Sequence, residues 1–465
     1  MRFKGQRLDG RPSDLGQSTG VLATTIETRS LDDSPMTAFH RRLTVYSAGG
    51  PFLDGYVLGI VGIALTQLTP AWQLSGVWQG LLAAAALIGM FAGGLVGGYV
   101  TDRIGRQVMY TLDLILIVVC SVAQFFADGP VWLLIARLVT GVAIGADYPI
   151  ATALQAEFAP RAKRGSLLGW LTAMWAAGNV AAYLIGDAIA QFGPDSWRWM
   201  LLSPAVPALI LVMARWGTPE SPRWLASRGR TDEARSALVK ALGPGVELPD
   251  HMAEPDHAGL RDLTGKPYLR RTIFIAIFWT CSIWPIYAIY AFGPAMLEAF
   301  RLNSPGQSTV GSAMIGVLFL IGCVVATLFA NRIGRRRLLI VPFTIATIAL
   351  LALGIWPDAP TVVIALMFTT YAIAIGSPTI MQWIYPNELF PTAIRATAVG
   401  IGTAISRVGA ALGTFLTPLL LAHTGIGPTM LIAGIISAVG VVASIVMAPE
   451  TRGRDLHHAS GADGT

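Results

Sequence analysis

Ionisable side chains are scarce in the apolar runs of this chain. Apart from span ends, Asp54, Asp113, Arg137, Asp147, Asp187 and Arg407 are the ones that interrupt them. Asp113 and Asp187 fall near the ends of their runs, where water reaches, and are set aside. Arg407 is the only ionisable side chain between Ala396 and Ala422. A charge at the centre of a membrane helix costs roughly 2.5–3.5 kcal/mol even on the lenient insertion scale, so a retained one points to function. Arginine suits a carboxylate or phosphate, because its planar fork makes bidentate hydrogen bonds and stays charged. A carboxyl keeps its proton in a dry cavity and gives it up beside an arginine. An aspartate that moves between those surroundings carries a proton. This chemistry assigns anion binding to Arg407, and proton coupling or binding to Asp54 and Asp147. The alternative is a static pair between Arg407 and one of these aspartates.

The elements that position these residues are membrane helices. Of 465 residues, 54% are hydrophobic and 13% charged. The mean hydropathy is +0.59. A soluble chain carries about 25% charged residues. A ruler of about 20 apolar residues gives twelve spans: 43–68, 76–100, 108–127, 130–156, 165–190, 197–216, 272–298, 309–331, 338–356, 359–385, 396–422 and 427–448. Residues 1–40 carry no apolar signal region and read as a disordered tail. Cys120, Cys281 and Cys323 lie inside apolar runs and form no extracellular disulfide framework. The net charge of +6 resides in short loops on one side, from Arg103 to Arg454, while the opposite loops hold Arg198 and Arg301. That is the positive-inside pattern, so nucleic acid is excluded as the reason for the charge and both termini are predicted to be cytoplasmic.

The chain repeats itself. "GGYVTDRIGRQ" after span 2 answers "LFANRIGRRR" after span 8. "EFAPRAKR" after span 4 answers "ELFPTAIR" after span 10. "PESPRWL" after span 6 answers "PETRGRDL" after span 12. The offsets are 229 from Asp102 to Asn331, 231 from Glu157 to Glu388 and 230 from Pro219 to Pro449. A duplicated six-span unit is a transporter architecture. The predicted organisation is a tail (1–42), a six-helix bundle (43–216), a cytoplasmic linker (217–271) with the amphipathic stretch "TDEARSALVKAL", a second six-helix bundle (272–448) and a tail (449–465). Gly105 permits a tight loop turn. Asp102 is placed to face a helix N-terminus or to pair with Arg106. Glu157 with Arg164, and Glu388 with Arg395, form candidate ion pairs for a gate. Arg103 and Arg335 complete the gate motifs.

These motifs, with "RLVTGVAIGADYP", "PESPRWL" and "ELFPTAIRATAVG", cover residues 43–456 and resemble the major facilitator superfamily, close to its sugar porter and organic ion branch. The resemblance implies an all-α fold of two pseudo-symmetric six-helix bundles that rock around a central site. It also implies proton symport. The first-span motif of sugar and metabolite porters, Gly-Tyr-Asp-x-Gly, has Val57 at its aspartate here. Asp54 lies three residues earlier on a similar face and is the candidate replacement. The resemblance makes Arg137 the partner of that carboxylate. Asp147 lies about 15 Å deeper than Arg137 at 1.5 Å per residue.

At the position of Arg407, organic anion transporters carry an arginine that helps bind the anion. Sugar porters carry Gln-Gln-x-Ser-Gly-x-Asn in span 7, whereas "FWTCSIWPIYAIYAFGP" has no Gln or Asn and offers Trp279, Trp284, Tyr287 and Tyr290. Aromatic walls with few polar groups suit an apolar or aromatic organic acid. Tyr148, Gln155, Asn179, Gln382 and Trp383 are further cavity candidates. "GADYP" also resembles the phosphate symporters, but their span 7 aspartate is missing here.

Other classes are disfavoured. "GLRDLTGKP" has the wrong glycine spacing for a phosphate loop, so no nucleotide is expected. No HExxH, GxSxG or Cys/His metal pattern occurs, so no enzyme activity, metal or cofactor is expected. The expected protein is a monomeric, multi-pass plasma-membrane symporter of a small organic anion with protons. A sugar or inorganic phosphate symporter, and a non-transporting sensor on the same fold, are the alternatives.

Overall fold

The computed structural model describes residues 29–30, 36–104, 106–158, 163–215, 220, 222, 225, 229–243, 246–247, 265, 268–300, 308–330, 332–390 and 392–451. Gly105 and the side chains of Asp102, Arg103, Arg106, Tyr148, Glu157, Arg164 and Arg395 lie outside the described residues.

The first half forms α1 (Ala38–Ala71), α2 (Gly76–Ile104), α3 (Arg106–Phe125), α4 (Pro130–Phe158), α5 (Arg164–Ala190), α6 (Trp197–Leu202) and α7 (Ala205–Arg215). The amphipathic stretch is helical, as α8 (Thr231–Leu242). The second half forms α9 (Leu269–Ala299), α10 (Ser308–Phe329), α11 (Arg335–Ile355), α12 (Thr361–Leu389), α13 (Thr392–Thr424) and α14 (Ile426–Met447). Among the described residues, twelve spans are long and apolar enough to cross a membrane. Their outward faces carry exposed Leu184, Val206, Ile348, Val362 and Val446, an apolar band that suits lipid.

The expected sixth span is broken into α6 and α7. Pro204 has no N–H to continue the ladder. The Met200 carbonyl one turn back accepts from the Ser203 hydroxyl at 2.6 Å instead.

The packing is two-fold. α1 lies on α5 as α9 lies on α13, and α2 lies on α4 as α10 lies on α12. The halves meet through α2 against α13 and α5 against α10. Glycines bring α2 and α4 into backbone contact: Gly89 faces the Leu138 carbonyl, and Gly141 faces that of Ala86. Close approach of this kind replaces the hydrophobic drive that lipid does not supply. α8 buries Ala234, Ala237, Leu238 and Ala241. Its Ala241 joins Leu43, Met109, Tyr110 and Ala146 at the basic-loop end of the first half. A two-residue parallel pairing, β1 (Arg29–Ser30) with β2 (Val246–Glu247), ties the N-terminal segment to the stretch after α8.

The repeat is visible in atoms as well as in letters. Glu220 accepts from the Gln107 backbone N–H at 3.1 Å, at the start of α3. Its counterpart Glu450 accepts from the N–H groups of Arg335 at 2.9 Å and Arg336 at 3.3 Å, at the start of α11. A carboxylate there satisfies amides that no helical carbonyl reaches, and it opposes the helix dipole. At the start of α3 the described capping carboxylate is Glu220.

Candidate functional site

Between the halves lies a central cavity of about 30 Å³. Water needs about 10–15 Å³, so the cavity has room for roughly two waters in this state. From the first half come Pro51 of α1 and Leu171, Thr172 and Trp175 of α5. The second half supplies Trp279, Ile283, Ile286 and Tyr287 of α9. It adds Thr379, Gln382 and Trp383 of α12 and Arg407 of α13.

Arg407 is 2% exposed. It donates to the Tyr287 hydroxyl, and its guanidinium centre sits 5.3 Å from the Tyr287 ring centroid. Tyr287 contacts Trp175, with ring centroids 5.4 Å apart. Trp175 donates its indole N–H to Asp54 Oδ2 at 2.9 Å, and Asp54 is fully buried. A cation on one half and a carboxylate on the other therefore join through two aromatic rings. On the far wall, Trp279 packs edge-on against Trp383 at 5.5 Å. Gln382 donates to the Ser282 hydroxyl at 2.8 Å. This arrangement offers a fixed cation, aromatic faces and a few hydrogen-bonding groups.

Beyond Tyr287 on α9, the two halves also meet through uncharged contacts. Pro294 removes the N–H that would bond the Tyr290 carbonyl, and α9 leaves helical geometry at Phe292 (φ −124°, ψ 21°). The hydroxyl of Tyr183, on α5 in the other half, takes that carbonyl. Nearby, a Cβ added at Gly62 of α1 would lie 2.7 Å from the Ala291 carbonyl.

The expected residues separate into groups. Arg407, Tyr287, Gln382, Trp279 and Trp383 share the cavity wall. Trp284 instead packs against Gly413 of α13. Gln155 donates to Thr44 at 2.9 Å, and Asn179 donates to the Gly55 carbonyl at 3.5 Å. Tyr148 lies outside the described side chains. Arg137 is not the partner of Asp54: its Nε donates to the Leu82 carbonyl of α2 at 2.8 Å, so it braces α4 on α2. Asp147 is paired with Arg215 at 3.2 Å. Asp113, set aside above as wet, is 3% exposed, because α3 is covered there by α4 and α7.

In the gate motifs, Arg335 pairs with Glu388 at 3.1 Å, and Glu388 also accepts from Thr451. Asp102, Arg103, Gly105, Arg106, Glu157, Arg164 and Arg395 fall outside the described residues and side chains.

Sequence reasoning missed Trp175 and Arg215. Trp175 is the donor to Asp54 from the most alanine- and glycine-rich part of span 5, and its i+4 spacing to Asn179 was the available signal. Arg215 lies at the end of a span, where a charge is ordinary and draws no attention.

Twelve spans in two like-packed halves, with a mixed aromatic and charged cavity between them, define a polytopic transporter rather than an enzyme. The model of the family described as "Sugar (and other) transporter" matches residues 43–461. The putative metabolite transport protein YaaU of Escherichia coli (strain K12) is 41% identical over 432 residues, covering 93% of this chain and 97% of its own. The inner membrane metabolite transport protein YgcS of the same organism is 36% identical over 434 residues, with the same coverage. The arabinose-proton symporter of Bacillus subtilis (strain 168) is 28% identical over 431 residues, covering 88% of this chain and 91% of its own. Among solved structures, the proton:xylose symporter XylE bound to 6-bromo-6-deoxy-D-glucose superposes with a TM-score of 0.79. It is 24% identical and covers 91% of this chain and 99% of its own. The chain belongs to the sugar (and other) transporter family of the major facilitator superfamily.

Proposed function

We propose that this protein is a secondary active symporter that carries a small organic anion, of the carboxylate class, together with protons. The observation that carries the reading is Arg407, buried in the wall of a cavity whose other lining side chains are uncharged. A buried guanidinium holds a carboxylate by a bidentate, charge-assisted pair, and the tryptophan faces suit a flat or apolar body. Asp54 is the proton-coupling carboxylate in this reading. Relatives named as proton symporters support the coupling. The halves 43–216 and 272–448 rock about the cavity, with 217–271 joining them on the cytoplasmic side and both termini cytoplasmic. The protein acts as a monomer in the plasma membrane.

A second reading is a neutral sugar or polyol. It draws on the sugar-transporting relatives and on Gln382, Thr172 and Thr379 in the lining. Uptake into vesicles of purified protein, across a panel of aliphatic acids, aromatic acids, sugars and phosphate, with and without a pH gradient, separates the two. Accumulation of an acid that collapses with the gradient supports the first. Accumulation of sugars alone overturns it in favour of the second.

A further inference from the structure

Behind the cavity, the first half buries a second set of charges. Arg215 of α7 is 1% exposed. Its Nη1 donates to Asp147 Oδ1 at 3.2 Å and to the Tyr110 carbonyl at 2.9 Å. Its Nη2 donates to the Tyr46 carbonyl at 3.0 Å, and its guanidinium centre lies 3.3 Å from the centroid of the Tyr110 ring. Four helices, α1, α3, α4 and α7, thus converge on one cation.

Asp113 sits on α3 beside this group. Its Oδ1 accepts from the Leu114 N–H at 2.7 Å. Its Oδ2 is buried and receives no donor among the described residues. Asp113 lies one turn after Tyr110, whose carbonyl and ring hold Arg215, on the helix that α4 and α7 cover. Among the described residues, the charged and titratable groups that reach it are Asp147 of α4, Arg215 of α7 and Tyr110 of α3. α1 contributes neutral groups, the Tyr46 carbonyl and the Ser47 hydroxyl, the latter 3.4 Å from the Tyr110 hydroxyl.

An ionised Asp113 would leave a buried carboxylate oxygen that no donor among the described residues reaches. Two acids against one guanidinium also leave an uncompensated negative charge in an apolar interior, which is strongly unfavourable. One proton resolves both.

We propose that Asp113 is a proton-binding site: its Oδ2 carries a proton and donates it to Asp147, which stays ionised against Arg215. The cluster is then neutral and every oxygen that faces it has a hydrogen-bond role. The site belongs to the first half alone and is separate from Asp54.

Its place also suggests what it does. Asp147 Oδ2 fills the space that a side chain on Gly50 would take, and Gly50 precedes Pro51, which lines the cavity. Release of the proton places an extra negative charge directly behind that wall. The site is therefore a second proton-carrying position that acts on α1. This role in the cycle rests on the proton-symport reading, but the protonation does not.

The test is infrared difference spectroscopy of the full chain in lipid vesicles, titrated through neutral pH, with no cargo present. The probe is the carbonyl stretch of a protonated carboxyl. Wild type and Asp54→Asn should show this band at neutral pH, and Asp113→Asn added to Asp54→Asn should lose it. Asp147→Asn replaces the acceptor and should shift it. Absence of the band from Asp54→Asn, or its survival when Asp113→Asn is added to Asp54→Asn, overturns the proposal. If Asp113→Asn does not assemble, an unshifted band in Asp147→Asn overturns it. Because no cargo enters the experiment, failure of the anion assay and failure of this site are read separately.

Discussion

Trp175 donates its indole N–H to Asp54 at 2.9 Å, and so binds α5 to α1 at the edge of the cavity. The same ring faces Tyr287, which receives Arg407 from the other half. In the proposed symport of an anion with protons, a movement of Arg407 toward the cargo would be passed to the Asp54 carboxylate through two stiff rings.

The Trp175–Asp54 bond gives the first prediction. Trp175→Phe keeps the ring and removes the donor. It should destabilise the protein by about 1–3 kcal/mol, the cost of a lost hydrogen bond to a buried carboxylate. Asp54→Asn in the same chain should recover part of that loss, with a coupling of about 0.5–3 kcal/mol. Thermal-shift midpoints of the two single variants and the double variant measure it. Additive losses would show that the bond is not formed.

Arg407 gives the second. Arg407→Ala should weaken binding of the transported acid by about 2–3 kcal/mol, roughly 30- to 150-fold. Arg407→Lys keeps the charge but not the fork and should recover only part of it. Isothermal titration or ligand-dependent thermal shift reads both. Equal affinity for the acid in Arg407→Ala would remove the anion from the proposal.

The third concerns the mirrored caps. Glu450→Gln should cost about 1 kcal/mol of helix-end stability. The amides of Arg335 and Arg336 should exchange with deuterium about fivefold faster. Glu220→Gln should do the same to the amide of Gln107 and leave α11 unchanged. Loss of protection in both halves from either single change would count against two independent caps.

The fourth concerns Arg335. The side chains of this pair are 11% and 20% exposed, so it is shielded more than a surface pair. Arg335→Ala should lower stability by about 1–3 kcal/mol by leaving Glu388 with a weaker set of donors. Glu388→Gln added to it should restore part. A thermal shift unchanged by Arg335→Ala would assign the pair to solvent.

Most of the fold was legible in the sequence because the bilayer imposes a simple rule, one apolar run per crossing. Span boundaries and the repeat followed from that rule and from three motif offsets. The break at Pro204 was visible as a proline, but a proline alone does not say whether a helix kinks or divides. The cavity was half legible. Arg407, Tyr287 and Gln382 stood out as polar or aromatic groups in apolar surroundings, and they share one wall. Trp175 did not stand out, since tryptophans are ordinary in packed membrane helices. Partner choice was the least legible feature. Arg137 turns to a carbonyl of α2, and Arg215 takes Asp147, because pairing depends on helix rotation, which hydropathy does not fix. Asp113 was misjudged for the same reason: depth along a helix was known, but not which neighbours cover it.

The contact between Tyr183 and the Tyr290 carbonyl has a consequence for the solvent. It joins the halves without any ionised group, so dissolved electrolyte cannot screen it. Parting it exposes a hydroxyl and a backbone oxygen that must each be hydrated, because an unmade bond at a buried carbonyl is expensive. Opening that contact therefore takes up water. Osmolytes excluded from the protein favour states with less surface exposed. Sucrose should slow the opening where sodium chloride leaves it unchanged, and the turnover rate of the protein becomes a reading of water activity.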